Sequence, residues 1–430
     1  MRVLVLGGGG REHALCWALA RSASVTEVLC APGNAGIASL ARLCEVDPTD
    51  IAMIRETAVR EAVDLVVVGP EGPLVAGVAD TLAVAGVPVF GPPRSAAGIE
   101  SSKTFAKQVM AAAGVPTGAY WSGADPAAAR AALRRFAPPY VVKADGLAAG
   151  KGVRICADLA EASQAVDDAL VGGRFGAAGE TVVIEEFLEG PELSVFAVCG
   201  AAGERGEGHV VIGAARDYKR ALDGDRGQNT GGMGAYTPVP AFTDALREQV
   251  SDTILAPTLD ELSRRGLPYR GLLYAGIVLT AEGPKVLEFN ARFGDPEAQA
   301  LLPCLPGDLG ALLAAAAAPV SEGGLTGAPA IEGACVTVVL ASGGYPGEYE
   351  TGMRISGLDE AAASPGALVF HAGTRREGRH IVTAGGRVLA VSGLGGTLAE
   401  ARAAAYAAAD LIEFDSLHRR NDIAAETGWT

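Results

Sequence analysis

Over the first hundred residues, short apolar runs alternate with helical patterns, and each run stops at a turn rich in glycine or proline. Val3–Leu6 runs into Gly7–Gly10, Val28–Cys30 into Pro32–Gly36, Asp64–Val68 into Gly69–Pro73, and Val87–Phe90 into Gly91–Pro93. Strands that end at such turns before helices predict an open parallel sheet whose ligand sits at the strands' carboxyl ends. A helix then starts at Ser101 or Ser102, capped by serine, and runs to Ala113 with Lys103 and Lys107 one turn apart on one face.

Residues 117–190 read as a compact α/β unit. A helix over Pro126–Phe136 leads to a strand over Pro139–Lys143 and the glycine-rich run Ala144–Gly152. A strand, a helix over Leu159–Leu170 and a strand over Thr181–Phe187 follow. Further strands are predicted near Glu192–Val198 and Val210–Ala214. The segment Ala221–Tyr236 is too rich in glycine and polar residues for regular structure and reads as a long functional loop. Beyond a helix over Asp244–Arg265 comes a hairpin of Gly271–Leu279 and Lys285–Asn290. Ser321–Pro329 reads as a linker. The remainder predicts a small α+β unit, with strands Ala334–Leu340, Leu368–His371 and Arg387–Val391 and a helix over Leu398–Ile412.

The chemistry concentrates in Pro284–Glu297. Alternation along a strand puts Glu288 and Asn290 on one face and sends Leu287 and Phe289 into a core. A carboxylate beside an amide oxygen is a hard-ligand pair that suits Mg²⁺ shared with substrate phosphates. Arg292 adds a planar cationic fork that matches phosphate or carboxylate. An edge strand with a polar face is the alternative reading of this stretch alone.

Composition narrows the choices. The 430 residues leave room for two to four domains, and 49% apolar with 20% charged residues describes an ordinary globular chain. A net charge of −15 speaks against nucleic acid or an anionic membrane as the main partner. No apolar run reaches spanning length, and Met1 leads straight into a strand, so neither a membrane span nor a signal peptide is expected. Seven cysteines without a Cys-x-x-Cys pair point to reduced thiols in the cytoplasm. Only six lysines stand against 29 arginines, which suggests that a retained lysine does work arginine cannot, such as acting as a compact charge on phosphate.

The first glycine loop resembles a dinucleotide fingerprint but departs from it. Glu12 stands where the sixth-position glycine belongs, and Leu29–Pro32 lacks the acidic residue that would hold a ribose. Nicotinamide binding is therefore not expected, although backbone N–H groups at a helix start still favour a phosphate.

Six motifs in order resemble the phosphoribosylamine–glycine ligase (glycinamide ribonucleotide synthetase) family of the ATP-grasp superfamily: Gly7–His13, Pro32–Gly36, Gly69–Glu71, Lys143–Gly152, Asn229–Tyr236 and Asn290–Glu297. The resemblance covers essentially the whole chain. It implies an α/β fold with an N-terminal parallel-sheet domain (1–100), a two-part ATP-grasp domain (101–327, lid about 117–190) and a C-terminal α+β domain (328–430). It also implies ATP-dependent joining of glycine to 5-phosphoribosylamine through an acyl phosphate, in purine synthesis, by a cytoplasmic monomer. By similarity, Lys103 and Lys143 meet the ATP phosphates, Gly150 and Lys151 lie in the nucleotide-covering loop, and Glu185, Glu186, Phe187 and Leu188 hold adenine. Glu192 takes the ribose hydroxyls, Glu288 and Asn290 bind Mg²⁺ (or Mn²⁺), and Arg292 stabilises the transferring phosphoryl group. The Gly8, Gly9 and Gly10 amides hold the sugar phosphate, and Asn34 and Glu71 contact its ribose. Asp217, Lys219, Gly294 and Asp295 complete the acceptor side. Lys107 is read as a surface charge and His13 as a packing histidine. Arg216 and Gln228 depart from the family pattern in the acceptor-side loop. The rivals are a biotin carboxylase-like or carboxyamino-forming ATP-grasp enzyme, a dinucleotide oxidoreductase and a non-catalytic nucleotide-binding regulator.

Overall fold

The computed structural model describes residues 1–147, 152–200, 208–318, 325, 327 and 330–425. Five parallel strands open the chain, β1 (Arg2–Gly7), β2 (Glu27–Pro32), β3 (Arg42–Leu43), β4 (Leu65–Val68) and β5 (Val89–Phe90), in the spatial order β3-β2-β1-β4-β5. Side chains of β1 alternate between two cores. Leu4 and Leu6 pack with helix residues such as Ile54 and Leu82, whereas Val3 and Val5 pack with Leu15, Leu19 and Leu313. Burial on both faces is why these strands read as continuous apolar runs. The two-residue β3 is exposed and has no such pattern to read.

After β1 the chain turns at Gly7, whose φ of +118° and 2.6 Å clearance to the Glu12 side chain exclude any Cβ. The Glu12 carboxylate fills the space that a third fingerprint glycine would leave open. It accepts the Gly9 N–H at 2.6 Å and pairs with Arg11 at 2.6 Å.

A four-stranded antiparallel sheet follows, β6 (Tyr120–Gly123), β7 (Tyr140–Ala144), β8 (Val153–Cys156) and β9 (Val182–Glu185), in the order β6-β9-β7-β8. Helices Pro126–Leu133 and Leu159–Leu170 close its separate core of Leu133, Val142, Val166 and Ile184. The half-buried β6 is not foreseen from its Tyr-Trp-Ser-Gly pattern.

The largest sheet has eight strands. It uses β10 (Glu192–Cys199), β11 (His209–Asp217), β14 (Gly234–Thr237), β15 (Gly271–Thr280), β16 (Gly283–Asn290), β17 (Ala334–Ala341), β18 (Ala367–His371) and β21 (Arg387–Gly395), in the order β16-β15-β10-β11-β14-β17-β21-β18. Two hairpins stand apart from it, β12 (Arg220–Leu222) with β13 (Arg226–Asn229), and β19 (Thr374–Glu377) with β20 (His380–Thr383). The expectation of an irregular Ala221–Tyr236 is therefore wrong. Its glycines serve close approach: at Gly234, a Cβ would lie 2.6 Å from the Thr337 carbonyl oxygen across the ladder. Through β14 and β17, the sheet also runs without a break into the predicted C-terminal unit.

The expected helix over Asp244–Arg265 is a continuous path with a widened turn. Helix Asp244–Val250 passes through five π-helical residues, Ser251–Leu255, into Ala256–Arg264. Pro257, which has no N–H to donate, accounts for that local change of hydrogen bonding. Among the described residues no single helix is long and apolar enough to cross a membrane.

His13 joins the first helix, Gly10–Ala20, to β18. Its Nδ1 accepts the His371 N–H at 2.8 Å, which requires a free lone pair on that nitrogen. Burial, with help from His371, lowers its pKa to about 3, and burial beside Arg376 lowers that of His371 to about 4. A histidine whose folded pKa is depressed contributes stability above the unfolded value of 6.5, and that contribution is lost as pH falls towards the folded value. Between pH 6.5 and 4, His13 is expected to cost roughly 1 kcal/mol per pH unit. Thermal melts across that window check this. His13→Asn, which keeps an acceptor but cannot titrate, flattens the slope.

Candidate active site

The β16 strand carries the centre of the site, with one departure from simple alternation. Gly276 of β15 pairs with Glu288, but the next residue, Ile277, pairs with Val286, so Leu287 is an extra residue in a bulge. Leu287 is thus half-buried rather than in the core, and Val286 and Phe289 are the residues turned inward. Past the bulge Glu288 and Asn290 do share one face, opposite Gly276 and Tyr274. The bulge has a use, because the Leu287 carbonyl accepts a hydrogen bond from Lys143 Nζ at 3.4 Å.

Arg292 sits at the end of this strand as the hub of a partly buried network, in which Glu100 is the buried member. One Nη bonds the Glu100 carboxylate at 2.9 Å and the Asn290 amide oxygen at 3.2 Å, while Nε meets Glu71 at 3.3 Å. Glu100, from helix Arg94–Ser101, also accepts the Ala291 N–H at 2.7 Å. Burial pushes the Glu100 carboxyl above its usual range despite Arg292. Burial would also raise Glu71, but Arg292 and Arg11 hold it below the usual value.

Across from this lies a cluster of lysines. Lys143 on β7 and Lys107 on helix Lys103–Ala113 both pair with Glu185 at the end of β9, each at 3.0 Å. All three side chains are buried, so the reading of Lys107 as a surface charge is corrected: it is 1% exposed. Burial alone would raise the Glu185 carboxyl, but Lys143 and Lys107 keep it below its usual range. Burial lowers Lys103, against the attraction of Glu288. Its Nζ donates to the Gly146 carbonyl at 3.2 Å. Glu186 accepts the Ala119 N–H at 3.0 Å, Phe187 is exposed, and Leu188 is half-buried beside them. Gly150 and Lys151 lie outside the described residues.

On the opposite side Asp217 ends β11. Burial, reinforced by Glu297, Glu192 and Glu288 and opposed by Lys219, raises its pKa to about 7. Lys219 lies 3.8 Å from Asp217 and 2.6 Å from Glu192. Asp295 takes Gln299 Nε2 at 2.7 Å and Arg387 at 3.1 Å. Gly294 rests against the Glu297 carboxylate. Arg387, on β21, also donates to the Gly231 and Asp295 carbonyls at 2.6 Å each.

Two of the groups expected on the sugar side already have partners within the protein. The Gly9 N–H is committed to Glu12, so of the Gly8–Gly10 amides that one is engaged within the protein. Asn34 has its full hydrogen-bonding capacity in use. Its Nδ2 donates to the Gly8 and His371 carbonyls at 2.8 Å each, and its Oδ1 accepts from Gly36 and Ile37. It holds the loops in register, and a ribose contact would displace one of those bonds.

Sequence reasoning missed Glu100, Lys107 and Arg387. Only tertiary contact reveals them, since each lies far along the chain from its partner. The scarcity of lysine did hint at Lys107.

Among the described residues no group of three or more His, Cys, Asp or Glu side chains could hold a metal ion. The donor set at Glu288 and Asn290 fits a hard divalent ion that completes its shell with phosphate and water, rather than a closed protein cage.

A long antiparallel sheet, a small second sheet with its own helices, and lysines facing an acid–amide pair together define an ATP-grasp protein. Family models of phosphoribosylglycinamide synthetase match along the chain: the N domain at residues 1–100, the ATP-grasp (A) domain at 101–298 and the C domain at 335–426. The chain belongs to the phosphoribosylglycinamide synthetase family. A phosphoribosylamine–glycine ligase of Streptomyces coelicolor is 52% identical over 431 residues, 99% of each chain, and one of Caulobacter vibrioides is 49% identical over 100% of this chain and 98% of its own. The crystal structure of phosphoribosylamine–glycine ligase from Thermotoga maritima has a TM-score of 0.84 at 34% identity, covering 98% of this chain and 100% of that one. A biotin carboxylase domain of Hydrogenobacter thermophilus, in complex with MgADP, shares the fold with a TM-score of 0.73 at 17% identity, over 97% of this chain and 91% of its own.

Proposed function

We infer that the chain joins glycine to 5-phosphoribosylamine, consuming ATP and giving N1-(5-phosphoribosyl)glycinamide, ADP and phosphate. Full-length identity of about half to ligases of that name supports the reaction. The observation that carries the mechanism is the Glu288–Asn290–Arg292 row facing Lys103 and Lys143.

The glycine carboxylate attacks the γ-phosphorus of ATP, the bond to the β-phosphate oxygen breaks, and glycyl phosphate and ADP form. The amine of phosphoribosylamine then attacks the glycyl carbonyl, phosphate leaves, and the amine loses a proton. A divalent ion held by Glu288 and Asn290, Mg²⁺ or Mn²⁺, supplies charge neutralisation on the phosphates. Lys103 and Lys143 hold the phosphates, and Arg292 faces the transferring group, its fork kept in plane by Glu71 and Glu100. The strand end Glu185–Leu188 receives adenine largely through its backbone, and Glu192 turns to the nucleotide ribose. Asp217, with a pKa near 7, is suited to take the amine proton, and Lys219 steadies its charge. Gly8, Gly10, Glu71, Gly294 and Asp295 line the acceptor's place. Gly150 and Lys151 also take part in nucleotide binding.

Domain limits near 100 and 328, a monomeric state and a cytoplasmic setting complete the proposal. Coupled ADP release with fresh phosphoribosylamine tests it: release should require both glycine and the amine. Release driven by bicarbonate in place of glycine would contradict it.

Arg387 enters as a positioning residue, because it fixes Asp295 and the Gly231 carbonyl from the C-terminal end of the chain. Arg387→Ala is expected to raise KM for phosphoribosylamine about tenfold and leave KM for ATP within about twofold. Steady-state kinetics with each substrate varied separates the two.

A further inference from the structure

Glu185 is a buried carboxylate held between two ammonium groups that come from different elements. Lys143 reaches one oxygen from β7 and Lys107 the other from helix Lys103–Ala113, each at 3.0 Å. The two lysines are not equivalent. Lys107 is fixed further: its Nζ donates to Thr117 Oγ1 at 2.8 Å, that hydroxyl donates to the Val286 carbonyl at 2.7 Å, and the Tyr120 ring lies 5.8 Å away. Lys143 has a looser second tie, 3.4 Å to the Leu287 carbonyl in the β16 bulge, next to Glu288. The arrangement therefore has a fixed cation, a fixed anion and a second cation with an alternative place to go.

We propose that Lys107 is a positioning residue that frees Lys143 for nucleotide: Glu185 holds Lys143 in place while no phosphate is bound, and Lys107 keeps Glu185 neutralised once Lys143 turns to a phosphate. The inference rests on the reading above, in which Lys143 meets ATP. The physical reason is the cost of a buried, unpaired charge. With one cation in the cluster, moving Lys143 to the nucleotide would strand a carboxylate away from water, which is strongly unfavourable. With two cations, Glu185 keeps a partner in both states. Two lysines to one glutamate also leave one positive charge in excess, of the sign a polyphosphate needs.

Nucleotide binding by calorimetry, with steady-state kinetics, tests this on the full chain. Lys107→Met, close in length but uncharged, should weaken ATP binding and raise KM for ATP at least tenfold, while kcat falls less than threefold. Adding Glu185→Gln to that variant removes the stranded charge and should restore most of the affinity. A merely structural Lys107 would lower stability and move KM for ATP and kcat together, whereas a positioning Lys107 moves KM for ATP with kcat nearly held. Should Lys107→Met fail to fold, Lys107→Gln carries the test with the same expected loss, and Lys107→Arg, which keeps the charge, should bind ATP within about threefold of the unaltered chain. ATP binding by Lys107→Met or Lys107→Gln equal to that of the unaltered chain, no rescue in the double variant, or a tenfold loss in Lys107→Arg would each overturn the proposal. Absence of ATP binding by the unaltered chain would instead overturn the reading on which it rests.

Discussion

Glu288→Gln is expected to lower kcat by roughly a thousandfold while nucleotide still binds, because the change removes one anionic ligand and little volume. Glu288 sits just past the bulge of β16, where its side chain shares a face with Asn290. A glutamine there keeps an oxygen but loses the charge that a hard cation favours. Binding should survive because the proposed contacts of Lys103, Lys143 and the Glu185 strand end with the nucleotide do not involve Glu288. Single-turnover ADP formation, with ATP affinity measured beside it, distinguishes this from global damage. A variant that retains more than a tenth of its turnover would show that Glu288 is not a ligand in the reacting complex. A chain that had no turnover to lose would favour the regulator reading.

The second large effect is expected at Arg292, where stability and chemistry change together and can be separated. Arg292→Met leaves Glu100 and Glu71 facing a partner that is gone. Breaking such a buried pair costs on the order of 3–5 kcal/mol, because an uncompensated carboxylate remains. Catalysis should fall by about a hundredfold or more through lost stabilisation of the transferring group. Adding Glu100→Gln should recover much of the stability, since that side chain then carries no charge, yet turnover should stay low. Denaturant melts and kinetics on the single and double variants check both statements. Recovery of turnover together with stability would reduce Arg292 to a structural role.

How far the sequence alone could lead depends on whether the signal is local. The β1 and β4 strands were legible because both faces are buried, so the apolar run is unbroken. The Glu288–Asn290 pair was legible because alternation needs only neighbours. The same rule failed at Leu287, since a bulge is set by the partner strand and leaves no mark on its own residues. Ala221–Tyr236 misled for a related reason. Its glycines looked like freedom, whereas Gly234 permits close packing against β17. Polar residues at a distance were hardest to foresee. Lys107 is a good helix position with an ordinary charge until β9 brings Glu185 to it, and nothing in the sequence marks the four internal bonds of Asn34.

The proposed mechanism requires a divalent cation held by Glu288 and Asn290. Crystals soaked with Mn²⁺ and a non-hydrolysable ATP analogue, measured at the manganese absorption edge, address it directly. The predicted result is an anomalous peak within coordination distance, about 2.2 Å, of a Glu288 carboxylate oxygen and the Asn290 amide oxygen, with phosphate oxygens completing the shell. A peak elsewhere, with the nucleotide bound away from that pair, would contradict it.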